Sequence, residues 1–390
     1  MSDRLPYLSS KLQGFGTTIF GEMSALALAT DSVNLGQGFP DTDGPREVLD
    51  VAIAAINSGQ NKYPPAIGVA SLREAIVEHQ QRFYGLSFDA ATEVLVTAGS
   101  SEGLASALLA LLDTGDEVIT FEPMFDIYQA CIAMAGGQVR AITLHPPAFG
   151  IDLDEVRAAV TPRTKLILLN SPHNPTGKVF TRDELQGIAD IAIEHDLIVV
   201  TDEVYEHLAF DGLEHIPLAT LPGMRDRTLT ASSGGKTFNT TGWKVGWLTG
   251  PAALVAAART AKQYLTYVSS GPFQPAIAAG LRLPDSYFTG IATDLQSKRD
   301  RLCDGLVEAG FEVFRPQGTY FVTVDIRGLR PDGDGMAFCR ELPALCKVVA
   351  IPNQVFYTDP RRGRHLVRFA FSKRLDVLDE AVSRLKTLAS

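Results

Sequence analysis

The amino-acid sequence predicts an α/β protein with a mostly parallel central sheet and a smaller α+β unit towards the C-terminus. Short runs rich in β-branched residues alternate with longer stretches of helical pattern. Strands separated by helices need right-handed crossover connections, which build a parallel sheet buried on both faces. Residues 166–169 are continuously apolar, as such burial requires. After about residue 285 the predicted strands lie closer together, which indicates a second, smaller unit.

The predicted strands of the large sheet follow one another at intervals that leave room for a helix. They cover residues 93–97, 117–121, 165–170, 197–201 and 228–232. Amphipathic patterns predict helices over residues 104–112 and 182–194. The second helix follows Thr181, with Glu184 three residues later, which is a typical helix-start pattern.

The chain is expected to divide near residue 285. A polar helix over residues 293–308 precedes four short predicted strands, at residues 311–314, 320–325, 348–351 and 365–371. The first 30 residues lack a strong pattern and are expected to pack on this smaller unit or on a second subunit. We predict an N-terminal arm joining the small domain over residues 1–33, a large domain over 34–285 and a small domain over 286–390.

Composition disfavours several classes of protein. With 35 Lys and Arg against 45 Asp and Glu, the 390-residue chain has a formal net charge of −10, which disfavours nucleic acids and anionic membranes as partners. Apolar residues make up 45% and charged residues 21%, as in water-soluble globular proteins. No apolar run approaches the roughly 20 residues of a membrane span, and residues 1–14 have no apolar core of a secretion signal. The four cysteines lack CxxC spacing, so we expect reduced, buried thiols in a cytoplasmic protein and no metal site.

Polar clusters follow most of the predicted strands, where ligands bind in open α/β sheets. The first is Gly99-Ser100-Ser101-Glu102-Gly103, which leads into a helix. Exposed amides at a helix N-terminus with adjacent hydroxyls favour a phosphate. The same segment fits G-x-S-x-G, the nucleophile elbow of serine hydrolases, and a plain serine-capped turn fits equally well.

Two further clusters supply an amide and a carboxylate. Residues 171–177 contain two prolines and a glycine, so Asn174 lies on a rigid loop, whether a tight turn or a binding loop, and His173 is interpreted as a loop residue. Asp202 ends a buried strand, where a carboxylate needs a cation or hydrogen bonds. It suits a ligand's cationic nitrogen, and a helix N-cap is the alternative.

The remaining clusters supply cations. Lys236 follows Gly234 and Gly235 in a loop that nearly matches the phosphate loop GxxxxGK[ST], but Thr230 replaces the first glycine, so an NTPase is rejected. A lysine in this setting suits Schiff-base chemistry. Arg368 interrupts an apolar strand and is either a carboxylate fork or an edge residue. A lysine, a carboxylate, hydroxyls and an arginine together match pyridoxal 5'-phosphate (PLP).

The chain resembles the class I/II (fold type I) PLP-dependent aminotransferases over essentially its whole length. The diagnostic runs are NLGQGFPD (34–41), YPP (63–65), EPMFDIY (122–128), SPHNPTGK (171–178), TDEVYEHL (201–208), SGGKTFNTTGWKVGW (233–247) and VRFAF (367–371). Within the family it resembles the kynurenine and methionine aminotransferase branch. KQYLTYV (262–268) and PFQPA (272–276) are most similar to the actinobacterial N-succinyldiaminopimelate aminotransferases.

The resemblance implies a role for each residue around the PLP ring. Lys236 would bind the aldehyde covalently and act as general base and acid. Asp202 would pair with the pyridinium nitrogen, while Tyr205 and Asn174 would hydrogen-bond the ring oxygen. Phe125 would stack on the ring face.

The phosphate is expected to be held by Ser100, Ser101, Ser233 and Lys244. Tyr63 would reach it from the neighbouring subunit, so the resemblance implies a homodimer.

The resemblance also implies how the substrate binds. Arg368 would bind the α-carboxylate, with the backbone of Gly38 and the side chain of Asn174 nearby. Phe20 would face the substrate side chain, where kynurenine-type relatives commonly have a tryptophan. The Glu122-Pro123 and Asn174-Pro175 bonds are expected to be cis.

The activity expected is transfer of an amino group between an amino acid and a 2-oxo acid (2-oxoglutarate/glutamate). N-succinyl-diaminopimelate, in lysine biosynthesis, is the favoured substrate. Three alternatives stay open: a methionine-, glutamine- or kynurenine-type aminotransferase, a cysteine-conjugate carbon–sulfur β-lyase, and a serine esterase using Ser101. No second arginine matches the one that aspartate aminotransferases use for a side-chain carboxylate, which argues against aspartate as the substrate. Phe20 replaces the tryptophan of kynurenine-type relatives, which argues against kynurenine.

Overall fold

The computed structural model describes residues 7–16 and 18–389. Its strands are β1 Val33–Asn34, β2 Val94–Ala98, β3 Glu117–Glu122, β4 Gln138–Thr143, β5 Thr164–Asn170, β6 Ile198–Asp202, β7 Thr228–Ser233, β8 Val245–Thr249, β9 Glu312–Phe314, β10 Phe321–Asp325, β11 Val348–Val349, β12 Ile351–Pro352 and β13 Leu366–Ala370. Its α-helices are α1 Ile19–Thr30, α2 Arg46–Asn57, α3 Ala70–Tyr84, α4 Gly99–Leu111, α5 Ile127–Ala135, α6 Leu153–Ala159, α7 Arg182–Glu194, α8 Gly234–Thr237, α9 Ala252–Lys262, α10 Gln274–Leu281, α11 Asp285–Glu308, α12 Gly335–Cys346 and α13 Leu375–Leu385.

A seven-stranded sheet in the order β2-β8-β7-β6-β5-β3-β4 forms the centre of the molecule. Only β8 runs antiparallel to its neighbours; the other pairs are parallel, which confirms the predicted α/β class. The carboxyl ends of β2, β3, β5, β6 and β7 therefore share one edge. Because β8 is reversed, its first residues lie at that same edge.

Both faces of this sheet are covered by apolar side chains from the flanking helices. The four residues 166–169 of β5 are almost completely buried, as their continuous apolar run predicts. Thr181 and Glu184 form a reciprocal capping box at the start of α7, so this predicted helix start is confirmed.

The sequence prediction missed β4 and β8. In β4 exposed and half-buried residues alternate at first, because the strand lies at the edge of the sheet. In β8 the short run contains Gly246, a residue depleted in strands.

The C-terminal part contains a four-stranded antiparallel sheet in the order β12-β13-β10-β9. Helix α11 begins at residue 285 rather than 293, and the strand expected over residues 348–351 is interrupted at Ala350. Apolar side chains of α11, α12 and α13 share a core with this sheet.

The N-terminal arm contacts the C-terminal part. Helix α1 lies against α12, and β1 pairs in parallel with β11. Met23, Ala27 and Leu35 belong to the core that contains Val324 and Phe369. Sequence analysis missed this helix because the apolar residues within its sequence, IFGEMSALALAT, do not lie on one face of the helix. The exact domain boundaries stay predictions.

All four cysteines are buried free thiols, as expected. In the part of the chain that the structure describes, no helix is both long and apolar enough to cross a membrane. A cytoplasmic location stays a prediction.

Candidate active site

A cavity of about 350 Å³ lies at the carboxyl edge of the large sheet. All but one of the site residues predicted from the sequence line it: Phe20, Gly38, Ser100, Ser101, Phe125, Asn174, Asp202, Tyr205, Ser233, Lys236, Lys244 and Arg368. Phe20 comes from α1 and Arg368 from β13, so both the arm and the C-terminal sheet contribute to its walls. The exception is Tyr63, which is 84% exposed on the surface beside the ring of Tyr267.

One end of the cavity is built to hold an anion. Gly99, at the start of α4, has φ +73°, and a Cβ added there would lie 3.2 Å from Lys244 Nζ. A Cβ on Gly246 would lie 2.4 Å from the carbonyl carbon of Gly99. The two glycines therefore let an ammonium group approach the α4 N-terminus, next to the residues Ser100 and Ser101.

Lys244 and Lys236 both line the cavity and add positive charge to it. Burial lowers the pKa of Lys244, as does the nearby charge of Lys236, while Glu102 raises it. The Ser233 hydroxyl accepts a hydrogen bond from the Gly235 N–H at 3.2 Å and donates to the Val245 carbonyl at 3.2 Å. Helix amides, hydroxyls and an ammonium group together fit a phosphate.

Asp202 is a buried carboxylate at the end of β6. Burial raises its pKa to about 6, while the Tyr128 hydroxyl, the Val204 N–H and the charge of Lys236 oppose the rise. Tyr128 donates to Oδ2 at 2.7 Å and Val204 N–H to Oδ1 at 3.4 Å. Among the described residues no cation forms an ion pair with Asp202, so a ligand's cationic nitrogen would supply the missing compensation.

Asn170 links Asp202 to Asn174. Its side-chain amide donates to the backbone carbonyl of Asp202 at 2.8 Å, and its Oδ1 accepts the Asn174 N–H at 2.7 Å. Asn170, at the end of β5, therefore fixes the position of the loop over residues 171–177. The expected cis bonds at Glu122-Pro123 and Asn174-Pro175 are present, with two more at Pro146-Pro147 and Ser171-Pro172.

Arg368 is a buried cation without a carboxylate partner among the described residues. Its Nη1 donates to Asn174 Oδ1 at 3.1 Å and its Nη2 to the carbonyl of Gly36 at 3.0 Å, while Nε has no partner. Burial lowers its pKa to about 10. The rings of Phe321 and Phe20 lie 4.0 and 5.3 Å from the guanidinium carbon. A fork with an unused N–H in an apolar setting fits a carboxylate.

Two glycine carbonyls in the segment after β1 accept hydrogen bonds from different side chains. The Gly36 carbonyl accepts from Arg368, whereas the Gly38 carbonyl accepts from the Tyr320 hydroxyl at 2.7 Å. Gly38 nevertheless lines the cavity.

Aromatic rings surround the remaining polar groups. Tyr205 and Tyr320 pack edge to face, 5.3 Å apart, and Lys236 Nζ lies 5.9 and 5.7 Å from their centroids. Burial, and then the neighbouring Tyr320, raises the pKa of Tyr205 well above its usual value. Phe125 packs edge to face against Tyr128.

Sequence analysis missed Tyr128, Asn170 and Tyr320. Tyr128 ends the run EPMFDIY, and Asn170 ends a strand that was correctly predicted, so strand-end position was the signal that could have found Asn170. Tyr320 directly precedes β10 in the C-terminal part, far from the other site residues along the chain.

The serine esterase alternative is wrong. Ser101 lies in the α4 N-terminus as the elbow motif requires, but no histidine of the described chain lines the cavity. The general base of a serine triad is therefore missing.

The chain matches the family model "Aminotransferase class I and II" over residues 30–385. It belongs to the class I and II aminotransferases. It is 49% identical to the probable N-succinyldiaminopimelate aminotransferase DapC of Mycobacterium tuberculosis, over 97% of this chain and 98% of that protein. It is 40% identical to the methionine aminotransferase of Escherichia coli, over 97% and 98%.

Solved structures agree with this family membership. The N-succinyldiaminopimelate aminotransferase of M. tuberculosis superposes with a TM-score of 0.95, covering 98% of this chain and all of that one. The E. coli methionine aminotransferase YbdL superposes with a TM-score of 0.93, covering 97% and 99%. Class I and II aminotransferases use PLP, and the donor set of this cavity fits that cofactor.

The buried carboxylate of Asp202 should make the stability of the cofactor-free aminotransferase depend on pH. Its pKa is about 6 when folded and near 3.8 ordinarily, so the folded state binds more protons between those values. The free energy of unfolding should therefore fall as pH rises from about 4 to about 6. Across this pH range the fall in the free energy of unfolding should be on the order of 3 kcal/mol, and replacing Asp202 with Asn should abolish it.

Urea denaturation of the cofactor-free protein at several pH values measures this effect. The control is Asp226→Asn, at an exposed position. Identical pH profiles for Asp202→Asn and the unsubstituted protein would contradict the role given to burial.

Proposed function

We propose that this aminotransferase exchanges the amino group of N-succinyl-diaminopimelate with 2-oxoglutarate, forming glutamate. The observation that carries the substrate is the 49% identity, over nearly both whole chains, with the probable N-succinyldiaminopimelate aminotransferase of M. tuberculosis. The amino donor becomes a 2-oxo acid as the acceptor becomes an amino acid. The exchange therefore needs no external oxidant.

We propose that Arg368 binds the substrate's α-carboxylate. Asn174 and the Gly36 carbonyl hold two of its nitrogen atoms, and this fixes the plane of the guanidinium group. Nε and the second N–H of each terminal nitrogen are the donors left for the carboxylate. Phe20 and Phe321 exclude water around it, which strengthens the charge pair.

Bound PLP supplies an aldehyde for amino groups and an electron-accepting ring that weakens the bond to the substrate's α-hydrogen. We assign the cofactor's covalent attachment and the transfer of the α-proton to Lys236 Nζ. Asp202 would hold the ring nitrogen in its protonated form, and Tyr128 keeps that carboxylate in place. Tyr205 and Asn174 would hold the ring oxygen, and Phe125 would cover one face of the ring.

The phosphate is assigned to the anion-binding end of the cavity. Ser100 and Ser101 would donate hydrogen bonds from their hydroxyls, Ser233 would do so by turning its hydroxyl from the Val245 carbonyl to the phosphate, and Lys244 would supply charge. The support is the close approach of Lys244 Nζ to the α4 N-terminus.

Tyr63 is assigned to the cavity of a second copy of the chain. Aminotransferases of this family are typically dimeric. The exposed ring of Tyr63 lies beside Tyr267 and does not line its own chain's cavity. Tyr264, three residues before Tyr267, is similarly exposed. A homodimer that buries this surface would bring the hydroxyl to the partner's phosphate end.

A panel of amino donors with 2-oxoglutarate tests the substrate. N-succinyl-diaminopimelate should give the highest kcat/KM, ahead of methionine, glutamine and kynurenine. A cysteine conjugate should exchange its amino group faster than it releases pyruvate. A higher kcat/KM for methionine would mean that methionine, rather than N-succinyl-diaminopimelate, is the preferred substrate. Pyruvate release faster than amino-group exchange would favour a carbon–sulfur β-lyase.

Arg368→Gln should lower kcat/KM for every amino donor by roughly 10²–10⁴-fold, since two charge-assisted hydrogen bonds contribute about 1.5–3 kcal/mol each. Bound PLP, measured by absorbance, should stay at one per chain. Arg361→Gln, at a side chain that is 89% exposed, is the matched control. Loss of PLP from Arg368→Gln would refute this division of roles.

Mixed dimers of Lys236→Ala and Tyr63→Ala chains test both residues together. If Tyr63 acts across the interface, one site of each mixed dimer has both native residues and the other has neither. The mixed dimer should then recover about half of the native activity, although both parent dimers are impaired. Failure to recover would mean that Tyr63 acts within its own chain, and a Tyr63→Ala parent dimer with native activity would mean that Tyr63 has no role.

A further inference from the structure

Two histidines and a glutamate meet outside the active site. His79 lies on α3, and Glu206 and His207 lie in the segment that follows β6. One ligand atom from each lies within 4.8 Å of the others. The two imidazole Nε2 atoms face each other at 2.7 Å.

The charges of this cluster leave room for a cation. Glu206 accepts hydrogen bonds from Ser232 at 2.8 Å and from Gln80 at 3.5 Å, and Tyr84 also bonds to it. Among the described residues, no lysine, arginine or histidine forms an ion pair with Glu206. Two imidazole nitrogens and a carboxylate without an ion pair are ligands that a metal ion can take.

The neighbouring charged groups are held by other residues. Arg82 is held by Asp285 and lies 4.8 Å from the Phe83 ring centroid. His215 pairs with Glu203 at 2.8 Å, and its charge opposes the rise that burial causes in the pKa of Glu206.

We propose that His79, His207 and Glu206 form a zinc site, with water as the fourth ligand. A surface cavity of about 380 Å³ adjoins the cluster and is lined by Glu206 and His207. Exposed Leu213 and Glu214 also line it, so solvent reaches the site. Three protein ligands and a water complete the tetrahedral shell that zinc prefers.

The movement required is small. Tetrahedral zinc with Zn–N bonds of about 2.0–2.1 Å holds two nitrogen atoms about 3.4 Å apart, so the imidazoles must separate by roughly 0.7 Å. The half-buried His207 faces the cavity and can move in that direction. Ser232 donates to Glu206 Oε1 at 2.8 Å and orients the carboxylate, as outer partners do in metal sites.

Zinc is the expected ion because of the ligand types. Imidazole nitrogen suits zinc and neighbouring transition metals, whereas Mg²⁺ and Ca²⁺ prefer oxygen ligands only. The bound ion would join α3 to a segment four residues beyond Asp202. It should therefore raise the thermal unfolding temperature of the protein.

Zinc titration of chelator-treated, PLP-loaded enzyme tests the proposal. One zinc per chain should bind, with no binding of Mg²⁺, and the unfolding temperature should rise. His207→Gln and Glu206→Gln should weaken zinc binding by at least about 100-fold, the upper range for losing even an outer partner. His195→Gln, at a more exposed histidine on α7's C-terminus, should change nothing.

Cobalt(II) gives a readout that does not depend on the variants. In the unsubstituted enzyme it should produce the intense visible absorption of a tetrahedral site, beyond the wavelengths of PLP, and zinc should displace it. An octahedral cobalt spectrum, no saturable zinc binding, or equal zinc affinity in His207→Gln and the unsubstituted enzyme would overturn the proposal.

Discussion

A continuous chain of hydrogen bonds joins the large sheet to the C-terminal sheet, and the geometry of the site depends on it. It runs from the carbonyl of Asp202 through the side chain of Asn170 to the backbone of Asn174, and from the Asn174 side chain to Arg368. Every member is buried, so each bond lost would leave a polar group unsatisfied. The positions of the carboxylate and the guanidinium are thereby fixed relative to each other before any ligand binds.

The same chain of hydrogen bonds holds two buried ionisable groups, Asp202 and Arg368, in the lining of one cavity. Burial raises the pKa of Asp202 and lowers that of Arg368, and both shifts measure a cost to the protein without ligand. In the proposed function, a cationic ring nitrogen and a substrate carboxylate would each remove one of these costs. The free energy of folding that is lost by burying these groups would therefore contribute to the affinity for the ligands, as in other pre-organised sites.

The site residues that could be predicted from the sequence are those whose position follows from the local strand pattern and the sheet topology. Strand-end position identified Asp202, Asn174 and the serines, because parallel strands bring their carboxyl ends to one edge. Lys244 joins that edge only because β8 runs antiparallel, and β8 was missed since its glycine weakens the strand pattern. Contacts such as that of Tyr320 with Gly38 join residues 282 positions apart, and no spacing along the chain reveals them.

The segment from β6 to Phe210 carries three buried carboxylates with different compensation. Asp202 faces the cavity and is bonded by Tyr128, and Glu203 is paired with His215. Among the described residues, Glu206 is bonded by Ser232, Tyr84 and the more distant Gln80 and forms no ion pair, although the charge of the nearby His215 opposes the rise that burial causes in its pKa. A buried carboxylate that neither faces the active site nor forms an ion pair stabilises the core less than an apolar residue of similar size would. That difference from Asp202 and Glu203, together with the two imidazole rings beside it, is the argument that Glu206 belongs to a second binding site.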